Sequence, residues 1–281
     1  MKIGIIGLGI MGKGITNNFL INKYSVFVWN RTKKVSAEFI KKGAIVCASP
    51  AEVANKADVV FEITANDKSS KSVWLGKKGI LSGAKSESIL VASGTFSNQW
   101  IENLINLCHK NKFTFMDIAL TGGRVGAETG SLTLLCGGKA ETLEKITPAL
   151  NAIAKKIYHF GPEGHGMKYK LILNFLQAVH VVGFGQAMKI AKTNNMDLNK
   201  VAEALADRPG GIITEIAKKA YFENSPPLTF SVENITKDLS YAKKSSKGLD
   251  VGLLDKVFSL YKKGIKKNMV KHDWTVVNKI L

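Results

Sequence analysis

The chain has 281 residues, of which 45% are hydrophobic and 22% are charged, a composition that argues against disordered and fibrous proteins. Its length allows one large domain or two of ordinary size, and we expect two. The formal net charge is +18, but most of the basic residues are lysines, whereas readout of nucleic-acid bases favours arginine, so we expect no specific nucleic acid as a partner.

Short apolar strands alternate with helices along the first 160 or so residues. The strands are predicted at 2–6, 25–29, near 45, and at 59–63, 88–92, 113–119, 131–136 and 155–160. The helices are predicted at 11–21, 33–41, after Pro50, at 97–110, and before Leu150. This alternation predicts an α/β fold with a doubly wound, mostly parallel sheet of the Rossmann type.

The pattern changes after residue 162, where strands largely disappear from the sequence. A long helix-compatible stretch without proline runs from 167 to 193. Further helices are predicted at 197–206, 212–223, 232–247 and 250–266. We therefore predict a dinucleotide-binding domain at 1–162 and an all-helical domain, for substrate binding and dimerisation, at 163–281.

A glycine-rich turn lies between the first strand and the first helix, and it has the pattern GxGxxG. Its glycines permit a tight turn and a close approach of the backbone to a diphosphate, at the positive end of a helix dipole. The pattern alone is weak evidence, but its place between strand and helix predicts dinucleotide binding. The predicted contacts are Gly7, Leu8, Gly9, Ile10, Met11 and Gly12.

The end of the second strand indicates which dinucleotide is bound. An acidic residue there would accept a hydrogen bond from the ribose 2′-hydroxyl of NAD. This chain instead has Asn30, Arg31 and Thr32, followed by two lysines. Because a guanidinium group and nearby ammonium groups suit a 2′-phosphate, we predict a preference for NADP(H), with NAD(H) still possible. The alternative is a basic loop without such a role.

No run of about 18 uninterrupted apolar residues occurs, and the N-terminus lacks a signal-peptide pattern, so we expect a cytoplasmic protein without a membrane partner. The cysteines, Cys47, Cys108 and Cys136, are far apart in sequence and form no CxxC pair. The histidines have no spacing typical of zinc ligands. We therefore expect neither disulfides nor a metal site.

Five motifs in order along the chain resemble those of the β-hydroxyacid dehydrogenases. They are GLGIMGKGI at 7–15, WNRT at 29–32, the stretch from Asp117 to Gly138, GHGMKYKLILN at 164–174, and KDL at 237–239. That family includes 3-hydroxyisobutyrate dehydrogenase, tartronate semialdehyde reductase, and glyoxylate or succinic semialdehyde reductases. The resemblance implies a Rossmann domain followed by a helical domain, a small carboxylate-bearing substrate, and a homo-oligomer, either a dimer or a tetramer.

The resemblance also implies roles for individual residues. Lys170 corresponds to the catalytic lysine and Asn174 to a substrate-contacting asparagine, and their i, i+4 spacing places both on one face of a helix. The loop Thr121-Gly122-Gly123 corresponds to the loop that binds the substrate carboxylate. Cofactor contacts are implied for Thr64, Ala65, Thr95 and Lys237, although Thr64-Ala65 replaces the usual leucine-proline.

Two further residues lie next to these motifs. Arg124 follows the predicted carboxylate loop and either contacts a second anionic group of the substrate or is an exposed loop cation, which we favour. His165 lies between two glycines of its motif and could contact the substrate.

We predict an NADP-preferring oxidoreductase that transfers a hydride between nicotinamide and a small hydroxy acid or the matching aldehyde- or keto-acid, with Lys170 as general acid and base. An imine reductase shares much of the pattern, but a lysine at position 170 argues against it. 6-Phosphogluconate dehydrogenases are considerably longer. Outside enzymes, the alternatives are a noncatalytic NADPH-binding protein and a polyanion-binding protein that uses the lysines.

Overall fold

The computed structural model describes residues 1–207, 212–223, 226–246, 248 and 250–280. The chain divides into two compact units, Met1–Lys170 and Leu171–Leu281. The division falls inside a long helix, a few residues after the boundary predicted at 162, which stays a prediction.

The first unit contains an eight-stranded sheet with the order β3-β2-β1-β4-β5-β6-β7-β8. Every neighbouring pair is parallel except β6 and β7, which are antiparallel. The strands are β1 (Lys2–Ile6), β2 (Ser25–Trp29), β3 (Ile45–Val46), β4 (Val59–Glu62), β5 (Ile89–Ala92), β6 (Thr114–Thr121), β7 (Leu132–Gly137) and β8 (Ala154–His159). From β1 to β3 successive strands are added on one side of the sheet, and from β4 onward they are added on the other side. In doubly wound folds the ligand crevice lies at the carboxyl ends of the two strands where this change occurs, here β1 and β4.

Eight helices and one 3₁₀ turn connect these strands. They are α1 (Ile10–Ile21), α2 (Lys33–Ala37), a 3₁₀ turn at Ile40–Lys42, α3 (Pro50–Lys56), α4 (Asp67–Trp74), α5 (Ile80–Gly83), α6 (Asn98–Lys110), α7 (Gly123–Thr129) and α8 (Ala140–Leu150). The core between sheet and helices is aliphatic and aromatic, with fully buried side chains such as Ile5, Phe19 and Val91. Parallel strands covered on both faces are expected to be this uniformly apolar.

Most sequence-predicted elements of this unit are present, but two parts differ. The helix predicted at 33–41 is interrupted, because α2 ends at Ala37 and the following 3₁₀ turn ends at Gly43, whose φ of 93° lies in the left-handed region. Helices α4, α5 and α7 were not predicted. Helix α4 begins with a capping box, in which Asn66 and Ser69 exchange side-chain to backbone hydrogen bonds.

The second unit is built from helices in its described residues. They are the later part of α9 (His165–Thr193), then α10 (Leu198–Ala206), α11 (Ile212–Phe222), α12 (Val232–Ser245), α13 (Gly252–Lys266) and a 3₁₀ helix at Trp274–Lys279. Its core includes Leu239, Leu254 and the fully buried Tyr261. The predicted helices agree with these within a few residues, although the predicted helix at 232–247 reaches residue 247, which lies outside the described residues. The predicted fold class, a Rossmann sheet domain followed by a helical domain, is confirmed.

Helix α9 is the one helix among the described residues that is long and apolar enough to cross a membrane. That finding rests on length and composition only, and 44% of the apolar window is buried inside the protein. The core helix of a soluble protein meets the same two criteria.

Candidate active site

The glycine turn after β1 has the geometry that a diphosphate requires. Gly7 has a φ of 105°, and a Cβ on Gly12 would lie 1.9 Å from the carbonyl oxygen of Gly7, so both positions demand glycine. A Cβ on Gly9 would meet nothing within 4 Å, because this glycine faces open space at the start of α1. The start of α1 has no side-chain cap. Its N–H groups and positive dipole end therefore face open space, where they can bind an anion.

Asn30 connects this turn to the end of β2. Its Oδ1 accepts the backbone N–H of Leu8 at 3.0 Å, and its Nδ2 donates to the carbonyl oxygen of Thr32 at 3.2 Å. Asn30 therefore positions both predicted cofactor segments through their backbones. Arg31 and Thr32 are exposed beside it, as are the two lysines that follow.

The turns after β4 and β5 lie against one another and beside the glycine turn. A Cβ on Gly7 would lie 2.4 Å from the carbonyl oxygen of Ile63, and one on Gly94 would lie 2.3 Å from that of Thr64. Thr64 is half-buried, Ala65 is exposed, and Thr95 is half-buried. The structure thus brings the predicted cofactor residues of the first unit into one neighbourhood, at the carboxyl ends of β1, β4 and β5.

The predicted carboxylate loop lies at the end of β6. Gly122 and Gly123 both have positive φ values, 117° and 60°, which other residues rarely adopt. Thr121 is half-buried, and α7 begins directly after this pair. The side chain of Arg124 is exposed and its Nε donates to Glu128 at 2.7 Å. This pairing favours the reading of Arg124 as a surface cation.

The beginning of α9 is held by a buried carboxylate of β6. Asp117 accepts the backbone N–H of Gly164 at 2.5 Å and that of Met167 at 2.6 Å. Burial raises the pKa of this carboxyl to about 6, although the two hydrogen bonds act in the opposite direction. Asp117 therefore fixes the first turn of the helix that carries Lys170.

The two lysines in the first turns of α9 differ in their exposure to solvent. Lys170 is only 9% exposed and Asn174 only 2%, whereas Lys168 is exposed. Lysine is almost never this deeply buried without a specific interaction. His165 is half-buried, and its Nδ1 lies 3.1 Å from the carbonyl oxygen of Pro162.

Asn174 and Lys237, predicted from separate motifs, meet the same carboxylate. Asp238, which is 1% exposed, accepts a hydrogen bond from Asn174 Nδ2 at 2.6 Å. Its other oxygen lies 2.9 Å from Lys237 Nζ. Because Asp238 engages the amide nitrogen of Asn174, it fixes which end of that amide is the acceptor.

Three buried carboxylates close to the predicted site residues were not predicted from the sequence: Asp117, Asp238 and Glu62. The first two lie inside motifs that resemble the family, but their hydrogen-bond partners are distant in sequence. The cysteines are buried, and burial raises the pKa of Cys47 to about 11 and that of Cys136 to about 12. Within the described part of the chain, no group of three or more potential metal ligands is close enough to hold a metal ion.

Two family profiles together match almost the whole chain. Residues 2–161 match the NAD binding domain of 6-phosphogluconate dehydrogenase, and residues 164–281 match the NAD-binding domain of NADP-dependent 3-hydroxyisobutyrate dehydrogenase. The chain belongs to the β-hydroxyacid dehydrogenase family. It is therefore an oxidoreductase with a nicotinamide cofactor.

Individual relatives agree with this assignment. The chain is 30% identical to L-threonate dehydrogenase of Cupriavidus necator, over 80% of this chain and 74% of that protein. It is 30% identical to glyoxylate/succinic semialdehyde reductase 1 of Arabidopsis thaliana, over 73% of this chain and 71% of that protein. Among solved structures, 3-hydroxyisobutyrate dehydrogenase of Salmonella typhimurium has the same fold, with a TM-score of 0.88, 22% identity and full coverage of both chains.

Proposed function

We propose that this oxidoreductase uses NADP(H) in preference to NAD(H), acts on a small aldehyde- or keto-acid and its hydroxy acid, and uses Lys170 as general acid and base. The observation that carries the proposal is the burial of Lys170 and Asn174 one turn apart on α9, while Lys168 is exposed. A general acid must come within hydrogen-bond reach of the oxygen that it protonates, and a lysine withdrawn from solvent is better suited to this role than an exposed one.

The cofactor preference rests on the end of β2. The carboxylate that would bind a ribose 2′-hydroxyl is replaced by Asn30, whose side chain is engaged with the backbone. Arg31 is exposed next to it and can form a charge-assisted contact with a 2′-phosphate. The open space at Gly9 leaves room for the diphosphate of either dinucleotide. When bound, NADPH supplies the hydride.

The chain's own residues position the substrate and manage the proton. The loop Thr121–Gly123 offers backbone N–H groups in a conformation that only glycine adopts easily, which suits a carboxylate. Lys170 stabilises the negative charge that grows on the carbonyl oxygen and then donates a proton to it. An arginine could stabilise this charge but could hardly give up a proton. Asn174, oriented by Asp238, can present its oxygen to a substrate hydroxyl.

The names of the relatives support an acidic substrate. One is a dehydrogenase of threonate and another a reductase of glyoxylate and succinic semialdehyde, and both names describe small carboxylate-bearing compounds. We also propose that the protein forms a homo-oligomer, either a dimer or a tetramer. Helix α9 supports this, because it exposes 62% of Ile172 and 50% of Leu176, and side chains of this kind are commonly covered by a second subunit.

A substrate panel tests the proposal. NADPH oxidation is followed with glyoxylate, succinic semialdehyde and tartronate semialdehyde, and NADP⁺ reduction with L-threonate and 3-hydroxyisobutyrate. Butyraldehyde, which lacks the carboxylate, is the matched control, and a cyclic imine tests the alternative reductase activity. We expect turnover of at least one acid and little with butyraldehyde. Turnover of the imine alone would contradict the proposal.

A further inference from the structure

A third buried carboxylate lies at the end of β4. Glu62 is fully buried, yet its carboxylate accepts four hydrogen bonds. Oε1 accepts the backbone N–H of Thr64 at 3.0 Å and also the Thr64 hydroxyl. Oε2 accepts the Ser70 hydroxyl and the Trp74 Nε1–H, each at 3.3 Å. A buried carboxylate needs this degree of satisfaction to be tolerated.

This network continues into the neighbouring helix and turn. Ser70 accepts a hydrogen bond from Trp100 Nε1 of α6 at 2.8 Å. One turn before Ser70 on α4, Asp67 accepts hydrogen bonds from both the backbone N–H and the hydroxyl of Ser97, at 3.0 and 2.6 Å. The turns after β4 and β5, which contain Thr64 and Thr95, are therefore both held by hydrogen bonds to α4. We call this network the framework; its members are Glu62, Asp67, Ser70, Trp74, Ser97 and Trp100.

The framework borders the glycine turn directly. Glu62 pairs with Ile6 in the β1–β4 register, one residue before Gly7. The following residue, Ile63, has its carbonyl oxygen packed against Gly7, where a Cβ would lie 2.4 Å away. Any change in the path of the turn after β4 therefore changes the space beside the predicted diphosphate site.

We propose that Glu62 is a positioning residue for cofactor binding, which holds the Thr64-Ala65 turn against the glycine turn. This role rests on the proposed function, because it assigns the cofactor to that turn. Glutamine cannot replace Glu62, because each oxygen accepts one N–H donor, from Thr64 or from Trp74, and neither donor can reverse its direction. The amide nitrogen of a glutamine would face one of these two N–H groups.

The carboxylate also titrates in the neutral range. Burial raises the pKa of Glu62 to about 7, against the opposing effect of its hydrogen bonds. The paired segments of β1 and β5, residues 3–6 and 89–92, carry no ionisable side chain. On the helices that flank it, the ionisable side chains are Asp67, Lys68 and Lys71 of α4 and Glu102, Cys108, His109 and Lys110 of α6. Asp67 is engaged with Ser97, Cys108 is buried at the far end of α6, and the others are exposed.

The direction of the pH effect follows from charge. A bound diphosphate brings negative charge close to Glu62 and favours its protonated form. Cofactor binding is therefore linked to proton uptake, and affinity rises as the pH falls through about 7.

Equilibrium titration with NADPH from pH 6 to 8.5 tests this role. The 2′-phosphate of NADPH titrates in the same range, so the profile of Glu62→Gln serves as the reference. We expect the ratio of the Kd for NADPH at pH 8 to that at pH 6 to be about three- to tenfold larger in wild type than in Glu62→Gln. At pH 6, Glu62→Gln binds NADPH at least about fivefold more weakly than wild type.

Two further variants complete the test. Ser70→Ala removes a hydrogen bond that lowers the pKa of Glu62, so the midpoint of the affinity profile moves to higher pH. Glu102→Gln, an exposed glutamate on α6, keeps the wild-type profile. If Glu62→Gln does not fold, the role of Glu62 is decided by comparing the midpoint of the affinity profile of Ser70→Ala with that of wild type.

The outcomes separate the two proposals. Parallel profiles for wild type and Glu62→Gln, or an unchanged midpoint in Ser70→Ala, would overturn the role of Glu62 while cofactor binding stands. No binding of NADPH by wild type at any pH would overturn the proposed function, and the role of Glu62 with it.

Discussion

Removing the Asp117 carboxylate should loosen the start of α9 and so reduce turnover. Asp117→Ala leaves the N–H groups of Gly164 and Met167 without their acceptor. An unsatisfied buried donor costs about 1 to 3 kcal/mol, so the free energy of unfolding should fall by about 2 to 6 kcal/mol. Lys170 stands one turn after these residues, so kcat should fall markedly. The Kd for NADPH should hardly change, because the glycine turn belongs to another strand.

The pH dependence of stability gives a second readout for Asp117. Its pKa is raised from 3.8 to about 6 in the folded protein, so the folded state binds the proton more tightly than the unfolded state. The stabilising contribution is full below pH 3.8 and is lost as the pH rises through about 6. The loss corresponds to about 3 kcal/mol. Asp117→Asn cannot titrate, so its unfolding free energy should lack this part of the pH dependence.

Urea denaturation at pH 4 to 8, together with steady-state kinetics at pH 7.5, measures both effects. Asp58→Asn is the matched control, because Asp58 is exposed and accepts one backbone N–H, that of Lys2. It should change stability by less than about 1 kcal/mol. The reasoning is refuted if Asp117→Ala is as stable as wild type, or if the pH profiles of wild type and Asp117→Asn coincide.

Three other outcomes follow from the same structure. Arg31→Ala should weaken NADPH binding by about 1.5 to 3 kcal/mol and NADH binding much less, measured by equilibrium titration; equal weakening of both would show that Arg31 does not contact the 2′-phosphate. Gly12→Ala places a Cβ 1.9 Å from the Gly7 carbonyl oxygen, so cofactor binding should be lost, and retained binding would contradict the proposed geometry. Duplex DNA should bind weakly, without sequence preference, and dissociate as salt rises in a mobility-shift assay, whereas sequence-selective binding at physiological salt would contradict this expectation.

The fold could be predicted from the sequence because its signals are local. Alternating apolar strands and amphipathic helices are visible in short windows, and the glycine turn stands between a strand and a helix. The elements that escaped prediction depend on weaker or distant signals. Helix α7 packs against α1, where Asn18 donates to the carbonyl oxygen of Ala127 at 2.8 Å. The start of α9 was predicted within two residues, but its hydrogen bonds with Asp117, which is far away in sequence, were not.

The sequence indicated the residues of the proposed site but not the contacts between them. Helical periodicity places Lys168 and Lys170 on different faces of α9, and the structure exposes the first and buries the second. That Asn174 and Lys237 meet at Asp238 could not be foreseen, because the pair is joined only through tertiary packing. Glu62 gave no motif signal at all, since a single glutamate at the end of a strand is ordinary until its burial is known.

The role of Lys170 is the central claim, and single-turnover kinetics of Lys170→Ala test it most directly. With saturating NADPH and the substrate identified by the panel, the hydride-transfer rate of Lys170→Ala should fall by about 10² to 10⁴-fold or more. NADPH affinity should be retained, Lys170→Arg should recover little of the rate, and Lys168→Ala should behave nearly as wild type. A near-normal hydride-transfer rate in Lys170→Ala would contradict the proposed mechanism.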